Sequence, residues 1–186
     1  STIPGANFYF LNPAGIVFGP NATLDVGGSA HFSTASHLSL GDGGFFSAGA
    51  DPSASTLTAA EPAAFGFFGR GAPIEVRGTN LFVAPNATLS LQAGDILIEG
   101  AALSASGGNV DLAAQSGVRL VGSAVWTESG WAAPPGRISI VGGEIRLERS
   151  SVGSYNYSDQ AAGTVALTAL GGDLHLEDTL VESVSH

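Results

Sequence analysis

Short apolar bursts of alternating period, most of them only three residues long, recur along the chain and hold one register over four rows. They read FYF, IVF, LDV, LSL, ILI, VDL, VRL, ISI, IRL, VAL and LHL, with Gly, Pro, Asn or Ser clusters between them. An apolar residue at every second position gives a strand one apolar face, and no stretch keeps the i, i+3, i+4, i+7 spacing through three helical turns. Phe8, Ile16 and Leu24 open bursts eight residues apart; Leu81, Leu89 and Ile96 open bursts eight and then seven apart. Three strands at this spacing make a unit of about 22–24 residues, the length of one coil of a three-sided solenoid.

Aligning the later units gives four columns. Leu89, Val110, Ile138 and Val165 form the first; Ile96, Val118, Ile145 and Leu174 the second; Ala101, Ser123, Ser150 and Thr179 the third; Leu103, Val125, Val152 and Val181 the fourth. Members of the first column lie 21, 28 and 27 residues apart, and the longer intervals contain WTESGWAAPPG and SYNYSDQAAG, read as long turns. Strands of fixed length joined by turns of variable length fit a parallel β-helix, in which each strand pairs with its counterpart one coil away, about 4.8 Å along the axis. A hairpin sandwich is the alternative. It favours two-residue Asn-Gly or Asp-Gly turns between neighbouring strands, and none is expected in this chain. The expectation is therefore an all-β chain of one domain, residues 1–186, with a single excursion over residues 52–73, PSASTLTAAEPAAFGFFGRGAP, where alternation lapses. Phe65, Phe67 and Phe68 are expected to pack back on the side of the solenoid rather than form a free aromatic patch.

Composition narrows the function classes. At 44% hydrophobic and 12% charged, the chain should fold rather than stay disordered. A net charge of −10, with arginine as the only strongly basic residue type, excludes a nucleic-acid surface, which needs clustered Lys and Arg. With no cysteine, neither a disulfide nor a thiolate metal site can form. No apolar run reaches the roughly 18 residues of a membrane span, and no signal peptide is visible. The chain opens at Ser1 within a strand-rich pattern, so a processed or truncated piece of something longer is expected.

Candidate chemistry is sparse. The register stacks Glu148 on Glu177, with Asp178 and Glu182 nearby, a pattern that a polysaccharide-active enzyme or a calcium site would use. A solvated outer face is the reading adopted, and lysine, a usual proton acceptor in a lyase, is absent. Arg119, Arg146 and His175 fall in an outward column that fits either an anionic sugar or pairing with Glu144 and Glu148; structural pairing is the reading adopted. His31, His37 and His186 show no metal-ligand spacing. No cofactor is expected. Ser123, Ser150 and Thr179 form a hydroxyl ladder suited to satisfying turn backbone. Asn21-Ala-Thr23, Asn86-Ala-Thr88 and Asn156-Tyr-Ser158 match the glycosylation triplet, the first two at what look like equivalent turns.

One run carries more. In ANFYFLNPAGIVFGPNATLDVGGSAHFSTA, residues 6–35, Asn12-Pro13-Ala14-Gly15-Ile16 is followed by Phe18-Gly19-Pro20 and by Leu24-Asp25-Val26-Gly27-Gly28-Ser29. This run, with the later PAAFGFFG, APIEVRGTNLFVAPNATLSLQAGDILIEG and GGNVDLAAQSG, resembles the haemagglutination-activity (TPS) domain of filamentous-haemagglutinin-like exoproteins over most of residues 1–120. The resemblance implies a right-handed parallel β-helix. It also implies export by two-partner secretion, with recognition by the POTRA domains of an outer-membrane TpsB transporter. Exported members act as adhesins, haemagglutinins or contact-dependent toxins, so a host receptor or glycan is an expected partner. Family members carry a helix cap and a first asparagine-proline motif before the position matching Ser1, which this chain lacks. An uncapped first coil has unpaired edges, so end-to-end stacking of copies into a filament is a further expectation, beside that of a polysaccharide-active enzyme. Within the motif, Pro13 and Gly15 should set a turn, Gly19, Pro20 and Asn21 the next corner, and Ile16, Phe18, Leu24 and Val26 should point inward. Asn12 and Asn21 should bond turn backbone.

Overall fold

The computed structural model describes residues 3–49, 52–130, 136–159 and 161–185. The strands are β1 (Phe8–Leu11), β2 (Ile16–Phe18), β3 (Ala30–Ser33), β4 (His37–Leu40), β5 (Phe45–Ser47), β6 (Pro62–Gly66), β7 (Ile74–Arg77), β8 (Asn80–Phe82) and β9 (Thr88–Glu99). They continue as β10 (Ala102–Ser104), β11 (Asn109–Val121), β12 (Ala124–Ser129), β13 (Arg137–Gly142), β14 (Glu144–Glu148), β15 (Ser151–Asn156), β16 (Thr164–Ala169), β17 (Leu174–Glu177) and β18 (Leu180–Ser185). The one helical turn among the described residues is the 3-10 turn Pro52–Ala54.

All strands except β4, β5 and β6 pair in parallel, in three sets of ladders. The first runs β1, β3, β9, β11, β13, β16, and the third runs β8, β10, β12, β15, β18. The second joins β2 to β7, β7 to the later half of β9, that half to the later half of β11, and then β14 and β17. β9 and β11 are long because each serves two sets; the register between them breaks between Ala114 and Gly117. Gly94 sits at this bend in β9, where a Cβ would lie 1.8 Å from the Gly71 carbonyl oxygen, so only glycine lets the two backbones meet.

The sequence columns hold residue for residue. Leu89 pairs Val110, Val110 pairs Ile138, and Ile138 pairs Val165; Ile96, Val118, Ile145 and Leu174 follow likewise, as do Leu103, Val125, Val152 and Val181. Alternation places one apolar residue of every pair inward, and Leu89, Leu91, Ile96, Ile98, Leu103 and Leu120 are fully buried. Each such side chain contributes about 1.5–3 kcal/mol of burial.

Several expectations change. Leu24 and Val26 alternate in burial but form no strand. The Thr79 hydroxyl donates to the Ala22 carbonyl at 2.7 Å, and a 430 Å³ gap separates Thr23 and Leu24 from Asn80 and Phe82 of β8. The bursts at Phe8 and Leu81 are also not in phase: β1 belongs to the first ladder set and β8 to the third. Asn21 and Asn86 therefore lie at different corners, although Ala22 and Ala87 each donate to the carbonyl three residues back, at 2.9 and 3.1 Å. The two turns read as long are partly strand, with Thr127 to Ser129 in β12 and Ser154 to Asn156 in β15; Trp131–Pro135 and Gln160 lie outside the described residues.

The chain leaves the parallel ladders at His37, earlier than the sequence pattern indicates. β4 pairs antiparallel with β5 and β6 as a separate three-stranded side sheet, inserted between β3 and β7. Contrary to the expectation that no such turn occurs, Asp42-Gly43 joins β4 to β5 and is the hairpin signal that a sandwich would use. The hairpin is local, and the parallel pairing elsewhere overturns the sandwich. Gln115 ties the side sheet's return to the bend in β11: its amide donates to the Gly69 carbonyl at 3.0 Å and accepts from Gly71 N–H at 2.7 Å. Phe65 is half-buried and lies 6.4 Å from the Tyr9 ring. Phe68, expected to pack inward, is 79% exposed with one face on His37, 4.7 Å between rings.

Candidate functional site

The NPAGI corner is built from hydrogen bonds that stay within the chain. Asn12 N–H donates to the Ser33 carbonyl at 3.0 Å, continuing the β1–β3 ladder, while its side-chain oxygen accepts from Ala14 N–H at 3.1 Å. Gly15 N–H donates to the Asn12 carbonyl at 3.0 Å, closing the turn over Pro13, whose fixed φ suits the position. Gly15 itself has φ +113°, a region that side chains rarely adopt, and Ile16 N–H then donates to the Pro73 carbonyl at 3.1 Å. Ile16 and Phe18 are buried, with Phe18 edge-on to Phe32 at 4.9 Å. Gly19 and Pro20 turn the next corner, and Pro20 lies against Gly78. The expectation for Asn21 fails: its side chain makes no hydrogen bond among the described residues, because the Gly19–Ala22 backbone bond closes that turn alone.

The charged column lies on the outer face of the second ladder set. Arg119 pairs Arg146, Arg146 pairs His175, and Glu148 pairs Glu177 in register. Glu148 is 10% exposed at its side chain, accepts from Arg119 at 3.1 Å and is also hydrogen-bonded by the Arg146 Nε. The Arg146 hydrogen bond above all, then Arg119, holds its carboxyl below the ordinary range against the opposing effect of burial. The same bond raises Arg146. His175 approaches Glu177 at 3.5 Å. Glu182 is engaged elsewhere, accepting from the Tyr155 hydroxyl at 2.8 Å; burial and this contact push Tyr155 up to about 12. A carboxyl that two arginines hold ionised cannot supply the raised-pKa acid that glycoside hydrolysis needs. Among the described residues no His, Cys, Asp and Glu group gathers as a metal site.

The hydroxyl column works as read. Ala101 N–H donates to the Ser123 hydroxyl at 3.3 Å, Ser123 N–H to the Ser150 hydroxyl at 3.2 Å, and Ser150 N–H to the Thr179 hydroxyl at 3.4 Å. Of the three glycosylation triplets, Asn156-Tyr157-Ser158 is removed as a surface acceptor. Asn156 is fully buried and its amide donates to the Ala161 carbonyl at 2.9 Å.

One cluster was not read from the sequence. Tyr9, His31, Ser90 and Asp111 pair in register on the outer face of the first ladder set, under the side sheet. Tyr9 and His31 stack with ring centroids 4.5 Å apart. The column Leu89–Val110 already implied the Ser90–Asp111 pairing. Extending it to His31 and Tyr9 required knowing that β3 pairs directly with β9 across the whole side sheet.

No helix among the described residues is long and apolar enough to cross a membrane. Comparison with the curated proteins and with solved structures returned no match. The family model of the TPS secretion domain matches residues 2–124, covering both the NPAGI corner and the side sheet. The chain therefore belongs to the TPS secretion domain family, that of TpsA-type exoproteins secreted through an outer-membrane TpsB transporter.

Proposed function

We propose that residues 1–186 form one three-sided, right-handed parallel β-helical segment of a filamentous-haemagglutinin-like exoprotein. In this reading the segment is non-enzymatic and serves an adhesive or structural role at the bacterial surface. Three parallel ladder sets linked through the bends of β9 and β11 support the β-helical reading. The NPAGI corner serves secretion by shape: it fixes the coils that the transporter's POTRA domains meet.

The observation that carries this is where the motif's polar groups go. The Asn12 side-chain oxygen and the Asn12, Gly15 and Ile16 backbone amides all bond within the chain, and Ile16 and Phe18 are buried. Backbone groups and a side-chain acceptor that are satisfied internally have little left for a partner. The test is secretion of an Asn12→Ala variant of the full exoprotein with its transporter. Loss of the side-chain bond to Ala14 should loosen the turn, so secretion and the thermal midpoint of the isolated domain should fall together. Lost secretion with an unchanged circular dichroism spectrum and melt would show direct recognition of Asn12 and overturn the reading.

A further inference from the structure

The side sheet folds back over the first ladder set and borders a half-open slot of 300 Å³. One wall is the outward column Tyr9, His31, Ser90 and Asp111, with Gln92 beside it; the other is Leu38 and Pro62–Phe65. Four successive parallel strands give the column a length of about 14 Å. The volume is at the small end of ligand pockets, which combine an apolar surface with a few convergent polar groups.

The polar groups of the slot are largely uncommitted. The Tyr9 hydroxyl, the His31 ring, the Ser90 hydroxyl and the Gln92 amide have no protein hydrogen-bond partner among the described residues. Asp111 gives one carboxylate oxygen to Arg137 at 2.7 Å and leaves the other open. Ser90 is only 4% exposed as a residue and lines the slot. The apolar surface comes from Phe65, whose ring meets Tyr9 at 48°, while Tyr9 has one face on His31. The small side chains of Ala63 and Ala64 keep the outer wall low.

Three ligand chemistries meet this lining differently. An anion would need a free cation, yet Arg137 is engaged by Asp111 and the chain carries −10. An ammonium group would use the Asp111 carboxylate, the Glu61 charge that acts on Tyr9 and the rings, but leave Ser90, Gln92 and His31 unpaired. A neutral sugar brings both hydroxyls for the polar array and a C–H face for the Phe65 ring. We infer that this slot binds a neutral saccharide residue, with its C–H face on Phe65 and its hydroxyls on Ser90, Gln92 and Asp111. The site is independent of the secretion motif.

The experiment is NMR on the isotopically labelled 186-residue chain, titrated with the methyl glycosides of glucose, galactose, mannose and fucose and with N-acetylglucosamine. Tetramethylammonium chloride and sodium sulfate serve as comparison probes. At least one sugar should show saturation transfer to its ring protons and shift the backbone amides of Ser90, Gln92 and Asp111. Gln92→Ala should weaken that sugar about three- to tenfold, as expected for one neutral hydrogen bond. Ala64→Trp, which fills the slot from its exposed wall, should abolish binding with an unchanged circular dichroism spectrum. The inference falls if no sugar perturbs those amides in the parent chain, if only the ammonium or the sulfate does, or if sugar binding survives Ala64→Trp. Because the decisive shifts are read on the parent chain, a variant that fails to fold does not rescue it.

Discussion

A carboxylate held by two guanidinium groups keeps its charge where a lone one would take a proton. Glu148 is in that position, and the sequence showed its candidates without showing the choice: Arg119, Arg146 and His175 were visible as a column, and Glu148 and Glu177 as a pair. Only side-chain geometry assigns both arginines to Glu148 and leaves Glu177 with His175. The consequence is a pH dependence of stability. The folded state holds Glu148 below its ordinary value of 4.5, so its stabilising contribution is full above that value and is lost as pH falls through the depressed folded value. Glu148→Gln should therefore flatten the acid limb of the stability profile, measured as urea midpoints between neutral and acid pH. The parent should lose more stability than the variant across that window.

At the scale of the element, each ladder set depends on how its corners dispose of backbone groups. Between the second and third sets, Gly78, Gly100, Gly122, Arg149 and Asp178 all have φ between +48° and +61°, one in each successive pass. Each of the first four donates its N–H to the next pass, to Glu99, Val121, Glu148 and Glu177. This repeated turn was not read from the sequence, because Arg149 and Asp178 replace the expected glycine in the last two passes. The column that follows it was legible, since hydroxyl residues recur there at fixed register. Ser123 joins three passes: it accepts from Ala101 N–H, its own N–H reaches Ser150, and its hydroxyl donates to the Val121 carbonyl at 2.9 Å. Ser123→Ala strands the Ala101 N–H in a buried corner and should cost about 1–3 kcal/mol in urea unfolding. Val125→Thr, a hydroxyl at the wrong column, should not restore it.

Across the whole molecule burial is uneven, and stability should follow it. Residues of β9, β11 and β13 that face inward are fully buried, whereas every residue of β17 is exposed, with Leu176 at 45%. In a stack where each pass contacts its neighbours, local opening starts where the fewest apolar contacts hold it. Hydrogen exchange on this chain should show the amides of β9 and β11 protected longest and those of β17 and β18 shortest. Leu120→Ala should cost about 2–5 kcal/mol, and Leu176→Ala less than about 1 kcal/mol. Equal protection across all passes would show that the stack opens as one cooperative unit.

What the sequence determined was the register. Side chains alternate with period two along a strand, and parallel partners stack like on like, so the columns Leu89–Val110–Ile138–Val165 and Ile96–Val118–Ile145–Leu174 could be aligned through turns of unequal length. The NPAGI corner was legible for the same reason: proline, glycine and asparagine act on their immediate neighbours. Tertiary structure alone decided what depends on distance in space. It settled the missing strand at Leu24–Val26, the early departure at His37, and the joining of β3 to β9 across the side sheet. It also settled which of two stacked glutamates two arginines neutralise, and that a histidine with no metal-ligand spacing lies stacked on Tyr9 under a folded-back sheet. None of these has a local period to read, because each is set by chain that returns from tens of residues away.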